Sequence, residues 1–339
     1  MLQDAKNMVS PITGGKVSLH WEWRDIDFRK EKFRVIVPYY VCEDTKEQFT
    51  TTESDGIWYA QLRNQYCKKY GIPFTDEIIE VRERYGVSAL KMSLILGFGE
   101  NQWRKYEQEE IPSLSNGKMI RSIMNPKVFL DLVESSKELL NDKEYSKITN
   151  KVKEIITSSE EYHIERYEKK RIFNIIRSEE NGYAPISLER LKNAMLYVLN
   201  QCGETFYTKM NKILFYIDFV AYKERGIAIT GLSYKAIDYG PVPEHWERVY
   251  SQFDEICQEP RTLGTYEGII LSTSTPSNES IFSKEELAIL NAVCSRFKTV
   301  SSKEISALSH EEKAWIDNHK THSRIPFTSA FELKITLPA

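Results

Sequence analysis

Three stretches of the chain hold side chains whose types and spacing could do chemistry. The first is a pair, "SPITGG" at residues 10 to 15 and "YYVCEDTKEQF" at 39 to 49. Two knuckles of the form C-P-x-C-G-G and C-x-x-C would offer four thiolates to a tetrahedral zinc ion. Here Ser10, Thr13 and Thr45 take three of the four places and only Cys42 remains. Hydroxyls keep their protons near neutral pH and are poor ligands, and His20 falls inside a strand pattern rather than at a knuckle, so no metal is expected. Ser10, Thr13 and Thr45 should instead hold the same turns by hydrogen bonding, with Pro11, Gly14 and Gly15 keeping the backbone shape.

The second stretch, "LGFGENQWRKYE", places Glu100, Asn101, Gln102, Arg104 and Lys105 at the opening of a helix. Amides can make bidentate bonds to adenine, and cations can reach guanine or phosphate. Trp103 and Tyr106 fall on the opposite face, where Leu94, Ile95 and Leu96 can pack against them. The third stretch, "GLSYKAIDYGPVPEHW", concentrates Tyr239, Gly240, Pro241 and Pro243 beside Trp246. Two prolines make a stiff turn with few donors, which displays aromatic surface to a protein partner or serves as a structural turn.

Catalytic patterns are incomplete. "HEEKA" at 310 to 314 lacks the second histidine of a zinc protease, "GFGENQ" lacks the third glycine of a dinucleotide loop, and "HKTH" at 319 to 322 has no third ligand nearby. No phosphate-binding G-x-x-x-x-G-K-[ST] is present. Neither an enzyme nor a cofactor is therefore expected. A net charge of −3 excludes polyanion binding by bulk electrostatics, so any contact with DNA must come from a local arrangement. The five cysteines are scattered and odd in number, as for reduced thiols, and no apolar run approaches the roughly 18 to 20 residues of a membrane span. With no signal-peptide pattern either, the expected location is cytoplasmic.

The elements that must position these residues follow from periodicity. "KVSLHWEWRDIDF" and "KFRVIVPYYV" alternate as strands and are joined by the charged "RKEK", which predicts a twisted hairpin flanked by the two knuckles. The period then becomes helical. "TDEIIEVRERYG", capped by Thr75 or Asp76, "SALKMSLILG", "ENQWRKYEQEEIP", "SLSNGKMIRSIMN" and "PKVFLDLVESSKELL" predict five short helices, with a glycine turn between the second and third as in a helix-turn-helix. Residues 141–182 are charged and helical in period, predicting a connector whose Ile, Tyr and Phe residues could pair with a second copy. Beyond it lie two amphipathic helices, the proline-rich turn, a strand at "YEGIILST" and further helices. The whole is expected to be mainly α with small β elements (α+β). At 339 residues it should divide into domains, at 1–70, 71–140, 141–182 and 183–339.

Residues 8 to about 140 resemble antitoxins of the MqsA/YgiT type, which join a zinc-binding N-terminal domain to an Xre-class helix-turn-helix. The resemblance is carried by "SPITGG", "YYVCEDTKEQFTT" and most specifically "LGFGENQWRKYE"; it implies base reading by Asn101 and Lys105, with Gln102 and Arg104 beside them, but not zinc, since three thiols are gone. Residues 187 to 335 resemble the Panacea, or SocA-like, domain through "KMNKILFYIDFVAYKERGIAITGLSYKAIDYGPVPEHW", "LSHEEKAWIDN" and "IPFTSAFEL". That resemblance implies an α-rich domain that neutralises a cognate toxin by direct binding. The expected contacts are Tyr234, Tyr239, Pro241, Pro243 and Trp246, with Lys235 and Asp238 as a polar rim. Together the two imply an antitoxin that, as a homodimer on operator DNA, regulates its own operon. A proteolytic adaptor or phage-defence module with a vestigial helix-turn-helix is the alternative.

Overall fold

Alternation along residues 17 to 42 produces a long antiparallel hairpin, β1 (Val17–Phe28) and β2 (Glu31–Cys42), in the register Val17↔Cys42 to Phe28↔Glu31. Its two-residue turn is made by Arg29 and Lys30, both at positive φ (49° and 71°), a conformation that glycine or asparagine would adopt with less strain. A short β3 (Gln48–Phe49) adds to β2, giving the order β1-β2-β3. Helix α1 (Thr52–Tyr70) follows. The computed structural model describes residues 8–158, 167–263 and 266–337.

The chain divides into two units, one formed by residues 1–62 with 168–339 and the other by 63–167, the division falling within α1. In the first unit the N-terminal hairpin packs with the C-terminal region. Trp21 of β1 lies 5.3 Å from the Phe331 ring, and the Lys223 ammonium sits 5.8 Å over the same indole. The Gln61 amide on α1 accepts from the backbone N–H of Ile36 (3.0 Å) and donates to its carbonyl (2.9 Å), acting as one rung of an added strand beside β2. The C-terminal region runs α8 (Leu188–Cys202), β4 (Thr205–Phe206), α9 (Tyr207–Arg225), β5 (Tyr234–Ile237), β6 (Gly240–Pro243), α10 (Trp246–Tyr250), β7 (Cys257–Leu263), β8 (Tyr266–Ser272), α11 (Lys284–Phe297), α12 (Ser302–His310) and α13 (Lys313–Ile316). Every residue of α9 from Lys209 to Tyr222 is buried, so this helix is the axis of the unit rather than an amphipathic surface element. Strands β4, β8 and β7 form a small sheet in that order. The edge strand β7, which the sequence patterns leave unpredicted, carries Pro260, tolerable at an edge because no second neighbour needs its missing N–H.

The second unit contains α2 (Thr75–Tyr85), α3 (Ala89–Ile95), α4 (Gln102–Glu107), α5 (Leu114–Ser122), α6 (Pro126–Ser135) and α7 (Asp142–Thr157) around one core. Tyr85 stacks on Phe129 at 4.1 Å, and its hydroxyl donates to the Ile123 carbonyl at 2.6 Å. The helix starts are set by local chemistry. Ser88 caps α3, Ser113 caps α5, and Asn125 caps α6 with Pro126 in its first turn. Helix α2 departs from expectation: neither Thr75 nor Asp76 is its cap, because Phe74 takes the N-cap position and is buried there. The Glu77 carboxylate accepts the Phe74 N–H at 2.8 Å in place of a capping side chain. Helix α7, from the expected connector, buries Ile148 and Val152 in the core of this unit. Residues 159–166 of that connector, with any pairing they would make, lie outside the described residues. The mainly helical α+β class agrees with the patterning.

Candidate functional site

The proline-rich stretch forms a tight hairpin. Strands β5 and β6 pair from Tyr234↔Pro243 to Ile237↔Gly240, leaving Asp238 and Tyr239 at the tip. The outer edge of β5 is covered as well, since Ala236 N–H donates to the Ser323 carbonyl (3.1 Å) and Ile325 N–H to the Tyr234 carbonyl (2.9 Å). Beneath the hairpin stands the carboxylate of Asp218, fully buried on α9. It accepts from the N–H groups of Ile229 (2.9 Å) and Thr230 (2.8 Å), the Thr230 hydroxyl, and the Tyr234 hydroxyl at 2.6 Å. Burial pushes the Asp218 carboxyl above the usual range, and the donors only partly offset it.

Glycine is required at position 240, where φ is +100°. A Cβ there would lie 2.7 Å from both Lys212 Cε and Ser309 Oγ. Lys212 itself is fully buried, and its Nζ has no hydrogen-bond partner. Burial alone lowers its pKa from 10.5 to about 7. His310 Nε2 is likewise buried without a partner, and burial, then the Lys212 charge, then His319, keep this imidazole below its ordinary pKa. The His310 ring stacks on Trp315 (4.1 Å), which stacks on His319 (4.2 Å), while Trp315 Nε1 donates to the Ile237 carbonyl at 2.8 Å. The hairpin tip is thus tied from below and from one side.

Of the residues singled out in the sequence, Tyr239 is 74% exposed and Trp246 half-buried, whereas Tyr234, Pro241 and Pro243 are buried and shape the hairpin instead of offering surface. Lys235 and Asp238 are exposed but already paired, Lys235 with Glu244 (3.2 Å) and Asp238 with His322 (3.0 Å). Glu244 is a buried node. Burial raises its pKa, but bonds from Arg324 (2.8 Å) and Lys235 outweigh that and hold the carboxyl below its ordinary value. Trp246 meets Tyr207 edge-on at 5.7 Å, next to the stacked Tyr207 and Tyr250 rings, away from the tip. Sequence reasoning missed Lys212 and Asp218, for which a charged residue amid the apolar run "KILFYIDFVAY" was the available signal, and met His310 only as part of an incomplete zinc-protease pattern.

In the second unit, Trp103 and Tyr106 are buried and face Ile95 and Leu96 in one core, while Asn101, Arg104 and Lys105 are exposed and Gln102 is half-exposed. Ser93 Oγ accepts the Trp103 N–H at 3.0 Å, which ties α3 to the first turn of α4. Trp103 Nε1 donates to Glu107 (2.9 Å), and Gln102 is engaged by Glu110 at 2.9 Å. Asn101 is the N-cap residue of α4, yet its side chain makes no capping bond.

The four knuckle positions also converge. Thr13 Oγ1 lies 3.4 Å from Cys42 Sγ and donates to Asp44 at 2.7 Å, and Ser10 Oγ accepts the Ile12 N–H at 3.1 Å. Hydrogen bonds from Ser10, Thr13 and Thr45 lower the Cys42 thiol to about 6. Among the described residues no group of three or more His, Cys, Asp or Glu side chains is placed to hold a metal ion. No helix of the described residues is long and apolar enough to cross a membrane.

No curated protein and no solved structure matches the chain. Residues 210–316, which run from α9 through α13, match the family described as antitoxin SocA-like, Panacea domain. The hairpin, the buried Asp218 and the Trp315 stack therefore belong to a Panacea (SocA-like antitoxin) domain.

Proposed function

We propose that this chain is an antitoxin: its Panacea domain holds a cognate toxin inactive by direct contact, and its central helices bind operator DNA as a homodimer to regulate the operon. The observation that carries the reading is the Panacea match over residues 210–316, a domain whose antitoxin role implies a toxin partner. The toxin would meet the hairpin tip, with Tyr239 as the aromatic anchor, since an exposed aromatic on a rigid support is the kind of residue from which binding energy is drawn, and Trp246, packed on Tyr207 away from the tip, would contribute less. Support for the DNA-binding half comes from the exposed polar face of α4 over a fully packed Trp103 and Tyr106, together with the resemblance of residues 8 to 140 to MqsA/YgiT-type antitoxins. In that account the N-terminal knuckles are a zinc ribbon that has lost its metal.

Co-expression tests the first half. The full chain should restore growth to cells expressing the product of the adjacent gene and co-elute with it, and Tyr239→Ala should weaken the complex by roughly 10-fold or more. Failure to rescue and to co-elute would remove the antitoxin reading. Anisotropy with the chain's own promoter DNA tests the second half: Asn101→Ala with Lys105→Ala should abolish sequence preference, and absence of binding by the native chain at moderate salt would leave α4 without that role.

A further inference from the structure

Two cysteines distant in sequence come together in the C-terminal region. Cys202 is the last residue of α8 and Cys294 lies on the neighbouring α11. The Cys202 thiol donates to the Cys294 carbonyl oxygen at 3.9 Å, which sets the two cysteines side by side where α8 packs on α11. Cys202 is partly exposed while Cys294 is buried, so one sulfur can meet a solute and the other can meet only its neighbour. Two cations act here, Lys209 on both thiols and Lys298 on Cys202. The Lys209 ammonium is anchored close by, donating to the Lys298 carbonyl at 3.1 Å. They oppose the partial negative charge of the α8 C-terminus, which by itself would disfavour a thiolate there. The neighbouring Cys294 thiol is the first cause that lowers the Cys202 pKa, burial raises it, and the two lysines lower it further; Cys294 is pushed the other way by its Cys202 neighbour and by burial.

We propose that Cys202 and Cys294 form a redox-active dithiol that hydroperoxides convert reversibly into a disulfide joining α8 to α11. The Cys202 thiolate attacks one oxygen of the peroxide. The O–O bond breaks, the leaving oxygen takes a proton and departs as water from hydrogen peroxide or as the alcohol from an organic hydroperoxide, and Cys202 becomes a sulfenic acid. The Cys294 sulfur then attacks Cys202, the S–S bond forms, and the sulfenic hydroxyl leaves with the Cys294 proton as water. One peroxide is reduced for each dithiol oxidised. A thiol reductant reverses the bridge by exchange. The inference is independent of the antitoxin reading, because it rests on the two sulfurs and their lysines alone.

The test uses the reduced full chain exposed to a small excess of hydrogen peroxide, followed by blocking of the remaining thiols with N-ethylmaleimide and peptide mass spectrometry. A Cys202–Cys294 linked peptide that disappears on reduction is expected. Cys257, exposed and without such neighbours, is the internal control for exposure alone. Cys294→Ser should leave Cys202 as a sulfenic acid that dimedone labels, and Lys209→Met should slow Cys202 oxidation by roughly 3- to 10-fold. Cys202→Ser, at the half-exposed position, should abolish the link while the chain stays folded. Oxidation of Cys257 in preference to Cys202, or loss of the Cys202 thiol with no link to Cys294 in the native chain, would overturn the proposal.

Discussion

Replacing Lys212 by methionine should stabilise the unit formed by residues 1–62 and 168–339. Lys212 is fully buried on α9, its Nζ has no partner, and burial is the sole cause of its shift from 10.5 to about 7. A difference of one pKa unit between folded and unfolded chain corresponds to about 1.4 kcal/mol. The shift thus makes the charged lysine unfavourable in the fold by about 5 kcal/mol, and by about 4 kcal/mol at pH 7 where half the population is already neutral. The sign follows from proton counting. Between pH 7 and 10.5 the unfolded chain keeps the proton that the folded chain has released, so stability rises with pH across that window and is flat below it. Methionine fills similar volume without the ammonium, and Lys212→Met should gain several kcal/mol at pH 7 while removing the share of the rise that Lys212 contributes, leaving that of Lys209 and Lys223, whose pKa values burial also lowers. Urea denaturation at pH 7 and pH 9 measures both effects. Five of the six tryptophans belong to this unit, so indole emission follows it, with Trp103 alone reporting the other. A destabilised Lys212→Met, or a variant whose stability climbs with pH as steeply as the native chain, would refute the reasoning.

Other substitutions probe the remaining features. Asp218→Ala leaves the Tyr234 and Thr230 hydroxyls and two backbone N–H groups without their acceptor, and should cost about 3 to 5 kcal/mol in the same denaturation assay; a loss under about 1 kcal/mol would contradict a closed network. Tetrahedral zinc at about 2.3 Å from sulfur needs sulfurs about 3.8 Å apart, and the Thr13 hydroxyl already stands 3.4 Å from the Cys42 thiol. Ser10→Cys, Thr13→Cys and Thr45→Cys combined should therefore bind one zinc per chain and melt higher with metal than with chelator, and a triple variant that purifies metal-free would show that the knuckles no longer share a tetrahedral site. Exchanging Arg29-Lys30 for Asn-Gly relieves two positive-φ positions and should raise stability by about 1 kcal/mol, checked by thermal melting; no gain would mean that the side chains there offset the strain.

What could be read locally was legible in the sequence. The β1–β2 hairpin, helices α2 to α6 and the turn at Gly240 each announce themselves through alternation, helical period, glycine or proline, because those signals act over a few residues, though the cap of α2 does not. The same holds for Trp103 and Tyr106 against Asn101, Arg104 and Lys105, since helical spacing alone separates the two faces. Which of the Gly-Pro residues offer surface was not legible. Tyr234 is withdrawn by a hydroxyl bond to Asp218, sixteen residues earlier in the chain, and Lys235 and Asp238 are taken up by Glu244 and by His322 from the far C-terminal segment. Tertiary structure also brought the N-terminal hairpin into one unit with residues 168–339 through Trp21, Phe331 and Lys223, and set Cys202 beside Cys294. Such pairings depend on which buried faces fit together, and on the need of each buried charge or donor for a partner. Local periodicity carries neither, because a residue's spacing tells which face it shares but not what will cover that face.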